Sequence, residues 1–170
     1  MSPALKDIVK EELQKLLNAS FIYPILDSKW VSPLVVVPKK FIGKWCICVD
    51  FRELNKAMLK DYFPLPFIDQ VLDTLFEKQY FYFLDRYSGY NQILIEPEDQ
   101  DKTTCTCPCG TYSYRVFAFG LCNAPTTFQR AVLEIFADLV HDCVEVYMDY
   151  FIAYGNTFQE ALDNLEKVLI

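Results

Sequence analysis

The order of periodicities along this chain predicts an α+β fold, with an antiparallel sheet backed on one face by helices. Segments with apolar residues every three to four positions alternate with short runs of β-branched and aromatic residues, and Gly or Pro signals separate them. Val144 to Tyr154 sets large apolar side chains on both sides of one acid, Asp149, the pattern of two short strands with an acid at the hairpin tip. Earlier in the chain, the apolar run Phe81-Tyr82-Phe83-Leu84 also ends on an acid, Asp85.

Ser2 can cap, and Pro3 can open, a first helix whose positions Leu5, Ile8, Val9, Leu13, Leu16 and Leu17 form one apolar stripe. Trp30 to Pro38 reads as a strand bracketed by prolines, and Trp45 to Val49 as its hairpin partner across the short basic link Lys39 to Lys44. Phe51 to Lys56 makes one helical turn. Phe63-Pro64-Leu65-Pro66 is extended, because each proline restricts the residue before it. Pro66 starts a second helix with Ile68, Val71, Leu72 and Leu75 inward; strand Tyr80 to Asp85 follows, and Gly89 marks a turn.

Lys102 to Cys107 and Tyr112 to Val116 flank Pro108-Cys109-Gly110-Thr111, a hairpin signal. Asn123 and Pro125 introduce a long helix with Phe128, Val132, Ile135, Phe136 and Leu139 on its buried side. Thr157 and Glu160 form a capping box for a final helix carrying Phe158, Leu162, Leu165, Val168 and Leu169. That helix runs to the last residue without a stop signal, as expected of a segment cut from a longer chain. Neither an internal repeat nor a low-complexity tract interrupts this order.

At 170 residues and 52% hydrophobic, the chain can bury one real core. No apolar run approaches the roughly 20 residues of a membrane span, and the start lacks the pattern of a signal peptide. The expectation is a cytosolic or nuclear protein with no membrane partner. Seven cysteines are an odd count. Cys46 and Cys48, like Cys105, Cys107 and Cys109, follow strand period rather than the Cys-x-x-Cys spacing of zinc sites, so reduced thiols are the reading.

A net charge of −7 speaks against a nucleic-acid partner, but its distribution does not. Lys39, Lys40, Lys44, Arg52, Lys56 and Lys60 face only Asp50 and Glu53 over the same stretch, a local +4 on a remainder of −11. Such a patch can seat a phosphate chain, and charge alone equally allows an ordinary solvated face.

Two strand ends that each deliver an aspartate are what a Mg²⁺ site needs, since that ion takes one or two carboxylates together with water and substrate phosphates. By spacing alone, Asp85 and Asp149 also read as strand-terminating surface acids, and Tyr90 as a core aromatic. The stretches Trp30-Val31-Ser32-Pro33, Val37-Pro38-Lys39-Lys40, Val49 to Lys56 and Phe63-Pro64-Leu65-Pro66 carry further information. So do Phe83-Leu84-Asp85 with Tyr87 to Gln92, Phe119 to Pro125, Phe128-Gln129-Arg130 and the Asp149 hairpin. In this order they resemble the reverse transcriptase of gypsy-type long-terminal-repeat retrotransposons over nearly the whole chain.

The resemblance implies polymerase fingers and palm, interleaved as fingers-like 1–79 and 111–125 and palm-like 80–110 and 126–170, with thumb, connection and ribonuclease H domains absent from the chain. It implies RNA- or DNA-templated DNA synthesis within a polyprotein, in a cytoplasmic virus-like particle or the nucleus. The partners would be an RNA or DNA template with primer, deoxynucleoside triphosphates and the remaining polyprotein domains. Asp85 and Asp149 match the aspartates that hold two Mg²⁺ ions, with the backbone carbonyl of Arg86 as a further ligand. Tyr90, Phe119 and Gly120 match the nucleotide pocket, Lys39 and Lys40 lie near a finger lysine that neutralises the triphosphate, and Arg52 and Asn55 match template contacts.

Departures from the family pattern point to impairment. Tyr150 stands where a third aspartate is expected, and a neutral phenol is a poor Mg²⁺ ligand at pH ~7. Cys46 replaces the arginine expected after the finger tryptophan, and a thiol supplies no fixed cation. The finger loop is short, Arg86 replaces a small residue, and Ala118 replaces a proline. The alternative function is a non-catalytic nucleic-acid-binding remnant of a decayed element.

Overall fold

The computed structural model describes residues 3–38, 45–85 and 89–169. In chain order the elements are α1 (Pro3–Asn18), β1 (Ile22–Pro24), β2 (Ser32–Pro38), β3 (Trp45–Val49), α2 (Arg52–Ala57), α3 (Ile68–Phe76) and β4 (Tyr80–Asp85). There follow a 3₁₀ turn (Gly89–Gln92), α4 (Pro97–Gln100), a second 3₁₀ turn (Asp101–Thr103), β5 (Cys105–Cys107) and β6 (Gly110–Tyr114). The chain continues with α5 (Ala124–Ile135), β7 (Val144–Tyr147), β8 (Tyr150–Gly155) and α6 (Phe158–Leu169). This is the α+β class expected, built as two compact units: Met1–Lys60 with Tyr90–Ala124, and Asp61–Gly89 with Pro125–Ile170.

The first unit holds a sheet in the order β1-β6-β5-β2-β3. Four neighbours make three antiparallel pairings and one parallel pairing, β2 with β5 through Ser32 opposite Cys105. The stripe of α1 buries Val9 and Leu13 in a core with Ile22, Phe51, Leu54, Tyr114 and Leu121. β1 escapes sequence reading, because three residues ending in a proline carry no alternation to detect. β2 begins at Ser32 rather than Trp30: the Trp30 amide donates to the Ser28 hydroxyl (3.0 Å), which itself donates to the Asp101 carbonyl (2.8 Å) and holds a turn. Lys102 lies in a 3₁₀ turn rather than a strand, because the Thr103 hydroxyl donates to the Gln100 carbonyl at 2.7 Å and rewards a local turn over a ladder.

The second unit holds the antiparallel sheet β4-β8-β7. Val71 and Leu75 of α3 pack with Ile152 and Tyr154 of β8. Ile68 and Leu72, expected inward, are exposed, since a short helix on a three-stranded sheet buries only the stripe in contact. Ile135 is exposed at the last position of α5, where the helix ends and no packing face remains. The capping box of α6 forms in a shifted version: the Glu160 amide donates to Thr157 Oγ1 (3.2 Å), while Glu160 accepts from the Asn156 amide (2.8 Å).

The buried residues of α6 are Ala161 and Asn164, whereas Phe158, Leu162 and Leu169 are exposed. Backbone proximity explains this choice, because a Cβ placed on Gly155 would lie 2.5 Å from the Ala161 amide nitrogen. Only small residues let the end of β8 approach the helix so closely. The expected boundaries at 79/80 and 110/111 also differ from the observed units: α3 packs on β7, and β5 is bonded to β2 and β6. Among the described residues, no helix is long and apolar enough to cross a membrane.

Replacing Gly155 with alanine forces backbone to move from backbone, and a loss on the order of 3 kcal/mol or more is expected in urea or thermal unfolding. An unchanged midpoint would show that the contact between β8 and α6 yields freely.

Candidate active site

β4 and β8 run antiparallel in a register that sets Asp85 opposite Tyr150, and β7 meets β8 with Tyr147 opposite Tyr150. Met148 and Asp149 are therefore the two central residues of a tight turn. This brings Asp85 and Asp149 to one rim of the sheet, Asp85 exposed and Asp149 half-buried. Neither carboxylate is bonded to another described side chain, and among the described residues no group of three or more His, Cys, Asp or Glu forms a metal cluster. Tyr150 is 48% exposed on the same face as Asp85, as directly opposed residues must be.

Met148 has φ +54, a conformation that tight hairpins usually give to Gly, Asn or Asp. Gln129 holds it there. This α5 side chain is 0% exposed; its Oε1 accepts from the Met148 amide (2.9 Å), and its Nε2 donates to the Val146 carbonyl (3.2 Å). One buried amide thus satisfies an acceptor just before the turn and a donor within it, next to Asp149. The sequence offered a signal that went unread, a polar residue inside the apolar stripe between Phe128 and Val132. The middle of α5 is held in turn by Asp61, whose carboxylate lies 3.0 Å from the Arg130 guanidinium.

A second group of site residues lies in the first unit. The Tyr90 and Phe119 rings are 6.5 Å apart, and Gly120 has φ +101. A side chain at Gly120 would find ordinary contacts at 3.7 Å, so the glycine answers to backbone conformation rather than to space. Asn55 bridges to this loop: its Nδ2 donates to the Gly120 carbonyl (2.8 Å) and its Oδ1 accepts from the Cys122 amide (2.9 Å).

Arg52 is 84% exposed and grips Asp50 with two guanidinium bonds, Nε at 2.8 Å and Nη2 at 2.6 Å. That pairing, helped by the Arg52 backbone amide, holds the Asp50 carboxyl down at about 2. Lys56 pairs with Glu53 at 2.8 Å, so both cations that α2 adds to the basic patch are already answered locally. Lys39, Lys40 and Arg86 lie outside the described residues. Cys46 is half-buried on β3 with its sulfur 3.8 Å from that of Cys48. Burial pushes the Cys105 thiol up to about 12 and raises those of Cys48 and Cys107, which keeps these strand thiols protonated.

The sequence profile described as "Reverse transcriptase (RNA-dependent DNA polymerase)" matches residues 37–169. The chain is 36% identical over 165 residues to the retrovirus-related Pol polyprotein from transposon 412 of Drosophila melanogaster, across 94% of this chain and 13% of that protein. It is 34% identical over 125 residues to the RNA-directed DNA polymerase homolog of Oenothera berteroana, across 72% of this chain and 88% of that one. Among solved structures, native prototype foamy virus protease-reverse transcriptase is similar with a TM-score of 0.87 and 26% identity, over 99% of this chain and 22% of that chain.

Two substitutions test this geometry. Gln129→Ala strands a buried amide and a buried carbonyl, and a loss on the order of 2–4 kcal/mol is expected in urea unfolding, with faster exchange of the Met148 amide hydrogen. Unaltered exchange there would show that the turn holds itself. Arg52→Ala should return the Asp50 titration, read by carboxyl NMR shifts, from about 2 to the ordinary carboxylate range. The folded value is the depressed one, so the pair's stabilisation is present above the unfolded value and is lost as pH falls toward 2.

Proposed function

The chain belongs to the reverse transcriptase family, and from that premise we propose that it is the nucleotide-adding segment of a retrotransposon polyprotein, impaired at one metal-binding position. The reading is carried by the β4–β8 register, which sets Asp85 and Asp149 on one rim and a phenol where a third carboxylate belongs. The first unit is read as fingers and the second as palm. In the reaction, the primer 3′-hydroxyl oxygen attacks the α-phosphorus of a deoxynucleotide, and pyrophosphate leaves.

The donor set fits divalent magnesium in part. Asp85 and Asp149 are two acidic acceptors not bonded to other described side chains, enough for an ion whose remaining ligands are triphosphate oxygens and water. Tyr150 offers a phenol in place of a carboxylate and so adds no carboxylate oxygen for a second ion. When bound, the ions offset triphosphate charge and favour loss of the primer hydroxyl proton. The chain's own part is to bind and orient: Asp85 and Asp149 present carboxylates, Tyr90 and Phe119 offer ring faces to a base and sugar, and Arg52 offers a guanidinium to template phosphate.

The foamy viral enzyme has been solved with double-stranded DNA and with an RNA/DNA hybrid. The corresponding partners here are a primed RNA or DNA template, deoxynucleoside triphosphates and the polyprotein's other domains, met in a cytoplasmic particle or the nucleus. A non-catalytic remnant that still binds nucleic acid is the second reading, favoured by the paired loss at Tyr150 and Cys46 in a chain with an intact core.

Primer extension with Mg²⁺ or Mn²⁺ compares the chain with its Tyr150→Asp variant. The added carboxylate is expected to raise the rate about a thousandfold, on the order of 4 kcal/mol in the barrier. Equal, measurable rates would remove Tyr150 as the defect. Silence in both directs the same assay to Cys46→Arg, and salt-dependent primer-template binding without extension in any variant supports the remnant.

A further inference from the structure

The two polar atoms of Asn55 are spent on a loop rather than held toward solvent. Its Nδ2 donates to the Gly120 carbonyl at 2.8 Å and its Oδ1 accepts from the Cys122 amide at 2.9 Å, contacts that span 65 and 67 residues of sequence. Within the loop itself the backbone bonds are weak, the Leu121 amide reaching the Ala118 carbonyl at 3.4 Å. Gly120 has φ +101 at the third position of the turn that this long bond closes. A second rung supports the first, because Asn123 Nδ2 donates to the Leu59 carbonyl at 2.8 Å and the Cys122 sulfur lies 3.5 Å from that of Met58.

We infer that Asn55 is a positioning residue that holds the Phe119–Cys122 loop, and with it the exposed Phe119 ring facing Tyr90, in the shape that receives the incoming nucleotide. This rests on the proposed reading of that loop as part of the nucleotide pocket. An amide is the side chain suited to the task, since it gives a donor and an acceptor from one rigid plane. Aspartate keeps only the acceptor, and alanine keeps neither.

The helix that carries Asn55 is itself anchored: Phe51 and Leu54 are buried in the first unit's core, and the Asn55 amide donates to the Phe51 carbonyl at 2.8 Å. Arg52 on the same helix points to solvent. One short helix therefore offers a cation outward to a template strand and an amide inward to the nucleotide loop. The division of labour is Arg52 for template and Asn55 for loop geometry.

The test uses the full chain with Asn55→Ala, Asn55→Asp and Arg52→Ala. It reads amide exchange at Cys122, affinity for dTTP with Mg²⁺, and affinity for a primer-template duplex by fluorescence anisotropy. Asn55→Ala is expected to speed Cys122 exchange and weaken dTTP binding, each about tenfold, with sheet amides and primer-template affinity unchanged. Arg52→Ala should show the reverse pattern. Asn55→Asp, which keeps the acceptor for the Cys122 amide and loses the donor to the Gly120 carbonyl, should retain Cys122 protection yet weaken dTTP binding, and that split decides the matter if the alanine variant does not fold.

Unchanged Cys122 protection in Asn55→Ala, or unchanged dTTP binding in Asn55→Asp, would overturn the clamp, as would a loss of primer-template affinity matching that of Arg52→Ala while dTTP binding stays intact. If the parent chain binds no dTTP, the nucleotide reading of the loop fails, and with it the assigned purpose of the clamp. Cys122 exchange then still reports whether the bridge itself exists.

Discussion

The register of β4 against β8 is the constraint on which the rest of the second unit depends. Side chains alternate with a period of two, so a slip of one residue would move Asp85 to the opposite face and bury or expose every partner of β8 wrongly. The core forbids that slip. β8 is the central strand, and Phe151, Ile152, Ala153 and Tyr154 are all buried, which leaves one alignment that covers them. Packing thus decides where the acids stand, although neither acid takes part in it.

Register alone leaves the turn underdetermined, and there a polar interaction takes over. A left-handed residue with a side chain costs roughly 1–2 kcal/mol. Two net hydrogen bonds of about 1 kcal/mol each offset that cost, and relaxation of Met148 would expose Gln129 to the larger penalty of an unpaired buried amide, about 1–3 kcal/mol. The asymmetry between a made and a broken buried bond is what holds the hairpin in its bent form. Asn55 works by the same chemistry in the first unit, where it bridges a glycine loop at a less buried site.

Long, strongly periodic segments were legible in the sequence: α1, the β2–β3 pair, β4 and the hairpin around Asp149 stand close to where periodicity placed them. The misreadings share a cause. Ile68, Leu72 and Ile135 are apolar residues on helices whose contact face proved narrower than their apolar face, and the width of a contact is a tertiary quantity. β1 depends on a partner distant in sequence, Tyr114 of β6, and the 3₁₀ turn at Asp101–Thr103 on a local hydroxyl–carbonyl bond that apolar periodicity does not report. The acids of the site were visible as strand ends. Their supporting amides, Gln129 and Asn55, were not, because what distinguishes a clamp from a surface amide is the identity of its two bonded partners.

The tolerance of individual positions to substitution follows from this division between packing and surface. Tyr150 is half-exposed at the start of β8 directly opposite Asp85, where a phenol avoids the like-charge repulsion that a second carboxylate would bring, so a tyrosine there costs folding nothing. Cys46 on β3 is similar, since a thiol suits a half-buried strand as well as the stem of an arginine does. Gly155, Gln129 and Phe128 differ, because backbone contact or full burial makes any change there costly. A fold of this kind holds its shape without drawing on the half-exposed side chains at its rim. Folding stability is therefore set by the buried residues of β8 and α5, apart from the exposed side chains at the rim of the β4–β8–β7 sheet.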